Sequence, residues 1–114
     1  MHEVSVAQAL LEKVIEECRN SGHKLVKSVR VDIGRASGVV SDALFFAFNA
    51  LKIDTIAKDA SLTVNEIEIL ARCNECQKEF TTEDTYIYEC PFCSSWRFTI
   101  LRGKELNLIE IEVE

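Results

Sequence analysis

The sequence predicts an α+β protein in which two helices cover a small three-stranded sheet and a cysteine-containing lobe is inserted before the last strand. Two observations support this fold class. Helical and strand-like patterns of apolar residues alternate along the chain. Two Cys-x-x-Cys pairs lie within one segment, residues 71–103, whose composition differs from the rest. The 114 residues are enough for one domain with a small additional lobe.

The first predicted helix spans residues 5–21. Its apolar side chains recur three and four residues apart, and charged side chains cover the opposite face. We expect Ser5 to cap the start of this helix and Gly22 to end it in a left-handed conformation. The set expected to face the core is Ala7, Leu10, Leu11, Val14, Ile15 and Cys18.

A strand and a second helix follow. Residues 28–34 alternate between apolar and polar side chains, as expected of a half-buried strand. The second helix is predicted at residues 42–54, with Ser41 as its cap. Its inner stripe is expected to pack on the core through Leu44, Phe45, Ala47, Phe48 and Leu51.

Two later segments, 61–70 and 105–113, are rich in β-branched residues and are predicted to complete the sheet. In both, the apolar alternation changes phase by one residue, which predicts either a β-bulge or a stretch buried on both faces. The expected division is an α/β domain of residues 1–70 and 104–114, with residues 71–103 as a separate domain.

Charge and hydropathy exclude several classes of function. The formal net charge of −6 weighs against non-specific binding to nucleic acids or anionic membranes, because phosphate contacts need dense Lys and Arg. Residues 73–104 carry four basic side chains against five acidic ones, so this segment has no electropositive footprint. The longest apolar run, residues 43–48, is far shorter than the ~20 residues that cross a bilayer. We therefore expect a cytoplasmic protein that binds neither nucleic acid nor membrane.

The inserted segment contains a strong metal-binding pattern. Each two-residue gap lets the chain turn tightly and direct two sulfur atoms at one ion, and two such turns complete a tetrahedral zinc site. The four ligands leave no open coordination position, which predicts a structural zinc ion in a zinc-ribbon-like lobe. Redox-active disulfides are the alternative, but their usual setting at a strand-to-helix turn is not evident. The expected zinc ligands are Cys73, Cys76, Cys90 and Cys93.

The amino terminus offers a second set of metal donors. The α-amine of Met1, the imidazole of His2 and the backbone nitrogens of His2 and Glu3 can close fused chelate rings on one ion. Nitrogen-rich planar sets suit Ni(II) or Cu(II) better than zinc. The alternative is that His2 is a solvated terminal residue, and spacing alone favours this alternative.

The residues favour two function classes over a third, an enzyme. One is a carrier of a second metal ion, and the other is a zinc-ribbon adaptor that assembles proteins or nucleic acids without a transit metal. No Ser/His/Asp set, phosphate-binding loop or open metal site with a nearby base is visible in the sequence.

Over essentially its whole length, the sequence resembles the HypA/HybF family, the nickel-insertion factors of [NiFe]-hydrogenase maturation. The resemblance is carried, in order, by the opening Met1-His2-Glu3-Val4-Ser5, by Val31-Asp32-Ile33-Gly34 with Ser37-Gly38-Val39-Val40, by Ala43-Leu44-Phe45-Phe46-Ala47-Phe48, by the two cysteine pairs, and by the closing Gly103-Lys104-Glu105-Leu106 and Ile109-Glu110-Ile111-Glu112-Val113-Glu114. The cysteine pairs fit many zinc ribbons, whereas the Met-His-Glu opening joined to them is far more specific.

This resemblance implies a nickel metallochaperone. It implies that Met1 and His2 hold nickel with Glu3 beside them, and that the four cysteines hold structural zinc. It implies a partner GTPase of the HypB type, the hydrogenase large-subunit precursor as client and, in some organisms, support of urease through its accessory proteins. The expected oligomeric state is a monomer or a homodimer. The lobe has no histidine, so a histidine-driven pH switch at the zinc site is not expected.

Overall fold

The computed structural model describes residues 2–114 and shows two helices with two small sheets. Met1 lies outside the described residues. The elements are α1 (His2–Asn20), β1 (Val26–Gly34), α2 (Ser41–Leu51), β2 (Ser61–Ile67), β3 (Ile69–Cys73), β4 (Glu79–Thr82), β5 (Phe98–Arg102) and β6 (Leu106–Val113). The predicted α+β class is confirmed. None of the helices within residues 2–114 is long and apolar enough to span a bilayer.

The first sheet has the strand order β2-β1-β6. Strand β1 runs parallel to β2 and antiparallel to β6. The parallel pair needs a crossover connection, which α2 supplies. Val29, Val31 and Ile33 are buried toward the helices, while Arg30 on the other face is exposed, so the predicted alternation of this strand is confirmed.

The helices cover this sheet through narrow apolar stripes. In α1 the buried residues are Ala7, Leu11, Val14 and Cys18, spaced four, three and four apart as helix geometry requires. Of the predicted set, Leu10 and Ile15 lie at the edge of the core and are half-buried.

The predicted helix caps are partly wrong. Helix α1 begins at His2, so Ser5 lies inside the helix instead of capping it. Helix α2 is preceded by Val40 in an extended conformation with no side-chain cap, and the Ser41 hydroxyl instead donates a hydrogen bond to the Glu66 carboxylate at 3.0 Å. Gly22 has a φ of 78°, which confirms the predicted left-handed end of α1.

The inner stripe of α2 is narrower than predicted. Leu44, Ala47 and Phe48 are buried, but Phe45 is 48% exposed and Leu51 is 37% exposed. Phe45 follows Leu44 by one residue and is therefore rotated about 100° away from it around the helix axis. The helix also ends at Leu51, before the predicted residue 54, because the chain continues in turns.

The two predicted phase changes have different causes. In β6, Leu108 pairs with Val31 and Glu110 pairs with Arg30, so Ile109 is an extra residue and the predicted bulge is confirmed. The segment 61–70 is neither bulged nor buried on both faces. It is split at Glu68 between β2 and β3, which belong to different sheets with different inner faces.

The second sheet has the order β4-β3-β5, and both pairings are antiparallel. It belongs to the cysteine-containing lobe, whose small core consists of Ala71, Cys73, Phe80 and Cys90. Strand β3 begins at Ile69, ahead of the expected boundary at residue 71. The division into residues 1–70 with 104–114 and residues 71–103 remains our proposal.

Two glycines allow a close backbone crossing where the lobe joins the first sheet. A Cβ atom on Gly34 would lie 2.0 Å from the carbonyl oxygen of Gly103, so no larger residue fits without moving the backbone. The same Gly103 carbonyl accepts a hydrogen bond from the Ala36 N–H at 2.7 Å, and the Gly34 N–H donates to the Glu105 carbonyl at 2.7 Å. The junction is therefore held by main-chain contacts.

Arg35 adds a side-chain connection at this junction. Its guanidinium lies 3.3 Å from the Glu66 carboxylate on β2 and donates a hydrogen bond to the backbone carbonyl of Glu83 in the lobe. One side chain thus links the first sheet to the lobe.

Candidate metal centres

The four cysteines converge on one point of the lobe. Their sulfur atoms all lie within 4.8 Å of one another. Cys73 and Cys93 approach to 3.5 Å, and Cys76 and Cys90 to 3.8 Å. A tetrahedral zinc site with bonds of about 2.3 Å requires sulfur separations of about 3.8 Å. The cluster therefore fits a structural zinc site, as the spacing predicts.

Two similar turns present the sulfur atoms. In the first, the Gln77 N–H donates to the Cys73 carbonyl at 3.0 Å, and in the second the Ser94 N–H donates to the Cys90 carbonyl at 2.9 Å. Gln77 and Ser94 each have a φ of 64°, a left-handed conformation that ends each turn. The Phe92 N–H also points at the Cys90 sulfur at 3.4 Å. Both turns thus aim backbone N–H groups and sulfur atoms inward.

The close approach of the sulfur atoms makes the ionisation of one thiol depend on its neighbours. The backbone N–H groups of Cys76 and Glu75 and the neighbouring thiols lower the pKa of Cys73 to about 6. For Cys93, the Ser95 N–H lowers the pKa, but the neighbouring thiols, Cys73 foremost, and burial outweigh it and raise the pKa to about 12. A positive ion among the four sulfur atoms would favour their thiolate forms, and zinc would supply that charge.

The lobe exposes most of its aromatic side chains. Phe80 is buried and packs edge-on against Phe98, with ring centroids 6.3 Å apart. Tyr88 and Trp96 are 77% and 76% exposed. The aromatic residues therefore contribute little to the interior of the lobe, and the sulfur cluster lies where a hydrophobic core would otherwise be.

At the other candidate site, His2 is the first residue of α1 and its side chain is 56% exposed. Its Nδ1 atom lies 3.3 Å from the Glu3 carboxylate. The loop before α2 is adjacent, because a Cβ atom on Gly38 would lie 3.9 Å from the His2 ring. Met1, the third residue expected at this site, is outside the described residues.

The Glu3 carboxylate connects this terminus to the rest of the domain. Its side chain is 14% exposed and accepts a hydrogen bond from the Val40 N–H at 3.3 Å. This contact is the main cause of a lowered pKa for Glu3, and its own backbone N–H and His2 act in the same direction. Glu3 is therefore a carboxylate near neutral pH. No sequence pattern indicates this contact of Val40, beyond its place in the Ser-Gly-Val-Val segment.

The structure keeps the two candidate sites apart. Within residues 2–114, the cysteine set is the only group of three or more His, Cys, Asp or Glu side chains whose ligand atoms lie close enough to share an ion. His23 is exposed, and its Nδ1 atom lies 2.9 Å from the Ser21 hydroxyl. The remaining cysteine, Cys18, is buried in the core of the α/β domain.

Comparison with known proteins identifies relatives across the whole chain. A family model described as hydrogenase/urease nickel incorporation, metallochaperone, hypA matches residues 1–113. The hydrogenase maturation factor HypA of Geotalea uraniireducens is 39% identical over 115 residues, covering 100% of both proteins. The HypA of Rhizobium leguminosarum bv. viciae is 37% identical and covers 99% of both.

Solved structures share the fold. A solution structure of a HypA protein superposes with a TM-score of 0.71 at 26% identity, covering 100% of this chain and 97% of that one. The Ni metallochaperone HypA from Helicobacter pylori has the same fold, with a TM-score of 0.67 at 24% identity over 97% of this chain and 96% of its own. Together with the family match, these relatives confirm the resemblance seen in the sequence: this chain belongs to the HypA family of hydrogenase/urease nickel-incorporation metallochaperones.

Proposed function

We propose that this chain delivers nickel to the [NiFe]-hydrogenase large-subunit precursor, with His2 and the adjacent main chain as the nickel ligands. Nickel is cargo in this proposal and is not transformed, so the chain has no enzymatic role. Its partners are a GTPase of the HypB type and the precursor itself, and a urease client is loaded by the same route where one exists. Five free cysteines suit the reducing conditions of the cytoplasm, where we place this exchange.

The observation that carries the proposal is the position of His2 at the very start of α1. The first N–H groups of a helix have no acceptor one turn earlier, so the amides of His2 and Glu3 could each release a proton to water and bind the ion as deprotonated nitrogens without breaking a helical hydrogen bond. They lie beside an exposed imidazole. A free amine on Met1 would add a further nitrogen, and such nitrogen donors favour Ni(II) over zinc.

The Glu3 carboxylate has a positioning role in this proposal. It contacts the His2 ring at Nδ1 and the Val40 N–H at the same time, both at 3.3 Å. It therefore holds the first turn of α1 against the loop that precedes α2. If Nδ1 takes the ion, this contact is exchanged for the metal bond, and the negative charge of Glu3 stays nearby.

In the same proposal, Cys73, Cys76, Cys90 and Cys93 hold a resident zinc ion. Four protein ligands leave no open position, so zinc orders the lobe without taking part in transfer. Because thiolates hold zinc and nitrogen donors hold nickel, the two ions do not exchange sites readily.

The test is a nickel titration of untagged, zinc-loaded protein, followed by calorimetry and by absorbance spectra. We expect one nickel ion per chain in the natural sequence and none in His2→Ala, with zinc content unchanged. A residue added before Met1 should abolish the site as well, because it removes the free amine. His23→Ala is the matched control, since it removes the other exposed histidine.

Unchanged nickel stoichiometry and affinity in His2→Ala would overturn the ligand assignment. A natural protein that binds zinc but no nickel would favour the zinc-ribbon adaptor instead. Glu3→Gln should retain nickel with lower affinity, because it keeps the backbone donor and removes the charge.

A further inference from the structure

Strand β6 leaves one side of the first sheet open. In the order β2-β1-β6 it pairs with β1 alone, and no strand within residues 2–114 covers its other side. Leu106 and Ile109 on this strand are 45% and 46% exposed. An open edge presents unpaired N–H and C=O groups, which another extended chain can pair with.

An apolar groove runs beside this edge, between α1 and β6. Its volume is about 460 Å³, and it is lined mainly by aliphatic side chains. His2 and Lys13 also line it, so the groove reaches the start of α1. The aliphatic side chains are Val6, Leu10, Val31, Leu44, Leu106 and Leu108. A strand added at β6 could place alternate side chains in this groove, since successive side chains point to opposite faces.

The charge of β6 and the residues flanking it indicates which kind of extended segment could pair with this strand. Residues 105–114 contain four glutamates and no Lys or Arg. Glu110 lies 3.5 Å from Arg30, and both side chains are at least half exposed. Within residues 2–114, no cation lies in ion-pair range of Glu112 or Glu114. Two copies paired along β6 would bring like charges together, which disfavours self-association. A basic segment would be attracted.

The opposite edge of the sheet differs. Strand β2 has a single charged residue, Glu66, and its carboxylate is already engaged by Arg35 and Ser41. The two edges therefore differ in charge and in what lies beside them, and only the β6 edge, with Glu112 in the strand and Glu114 just after it, combines glutamates outside ion-pair range of the described cations with an apolar groove.

We propose that β6 binds an extended, basic segment of a partner protein by strand addition, with alternate apolar side chains of that segment in the groove. Main-chain hydrogen bonds supply part of the affinity, and the glutamates select the charge. Binding of this segment does not require a nickel ion. If the chain also delivers nickel as proposed, the bound segment would lie beside the nickel ligand, because His2 lines the same groove.

The probe is a ten-residue synthetic peptide of alternating lysine and valine, titrated into the full zinc-loaded chain at low salt. We expect saturable binding that weakens as salt is raised, with slower hydrogen exchange in β6. The same peptide with alternate N-methyl groups should not bind, because it keeps the charge and cannot complete the ladder. A glutamate–valine peptide should not bind either.

Variants locate the site. Glu112→Lys/Glu114→Lys should weaken binding about tenfold or more, because two attractive contacts become repulsive. Glu79→Lys/Glu89→Lys is the matched control, since it makes the same change of net charge at exposed positions in the lobe, and it should weaken binding much less. Leu106→Ser should also weaken binding by removing an apolar wall of the groove.

Equal loss in the two charge-reversed proteins, or equal binding of the N-methylated peptide, would overturn the proposal and leave only general electrostatic attraction. Dimers that pair through β6 in the natural protein would also overturn it. Because none of these peptide-binding experiments uses nickel, their outcomes are independent of the nickel titration.

Discussion

The α/β domain and the cysteine-containing lobe are held together in different ways. Among the described residues, the α/β domain buries fourteen apolar side chains in one cluster, contributed by both helices, the first sheet and the turns between α2 and β2. The lobe buries four, and two of these are cysteines of the sulfur cluster. Apolar burial can stabilise the first unit, but the second has too little of it and needs a metal ion in place of a core.

The largest effect should come from removing zinc with a chelator under reducing conditions. Zinc binding in small modules is worth roughly 10–16 kcal/mol, far more than the apolar core of the lobe can replace. We expect residues 69–102 to lose protection from hydrogen exchange while α1 and β1 keep theirs. Cys90→Ser should have the same effect. Simultaneous loss of protection in α1 would show that the α/β domain also depends on the zinc ion for its stability.

A smaller effect is expected from Phe48→Ala in the core of the α/β domain. Phe48 is fully buried, so its truncation should lower the free energy of unfolding by about 3–5 kcal/mol in a urea titration. Phe46→Ala, at a position that is 78% exposed, is the matched control and should change it by less than about 0.5 kcal/mol. Zinc content should stay the same in both variants, and loss of zinc in Phe48→Ala would contradict the comparison.

The smallest effect on stability should come from Arg35→Lys, which acts between the two units. The Arg35–Glu66 pair is partly exposed and is worth about 1 kcal/mol or less. Lysine cannot contact Glu66 and the Glu83 carbonyl together as a planar guanidinium does. We therefore expect residual dipolar couplings to report a changed orientation of the lobe while the unfolding midpoint hardly moves. Arg30→Lys should leave that orientation unchanged.

The parts of the fold that could be predicted are those governed by local periodicity. The α1 stripe through Leu11 and Val14 follows from the helical repeat, and the bulge at Ile109 follows from a visible change of phase. The cysteine cluster was predictable for a related reason. Two residues between cysteines fix the geometry of a turn whatever the rest of the chain does.

The parts that could not be predicted depend on contacts distant in sequence. The split at Glu68 requires knowing that β3 joins a second sheet, because the apolar residues on the two sides of Glu68 look like one continuous strand in the sequence. The exposure of Phe45 could not be predicted from its being aromatic, because a phenylalanine beside a buried helical stripe can lie either in the core or at its exposed edge. The contact between Glu3 and Val40 joins residues that no local pattern relates.

The start of α1 at His2 has an electrostatic consequence for an ion held there. The aligned peptide dipoles of a helix give its first turn a partial positive charge, which opposes a cation by a few tenths to about 1 kcal/mol. In a protein built for storage this would be a disadvantage. In the carrier that we propose it would favour unloading, because only short-range bonds to nitrogen would retain the ion against the field of the helix.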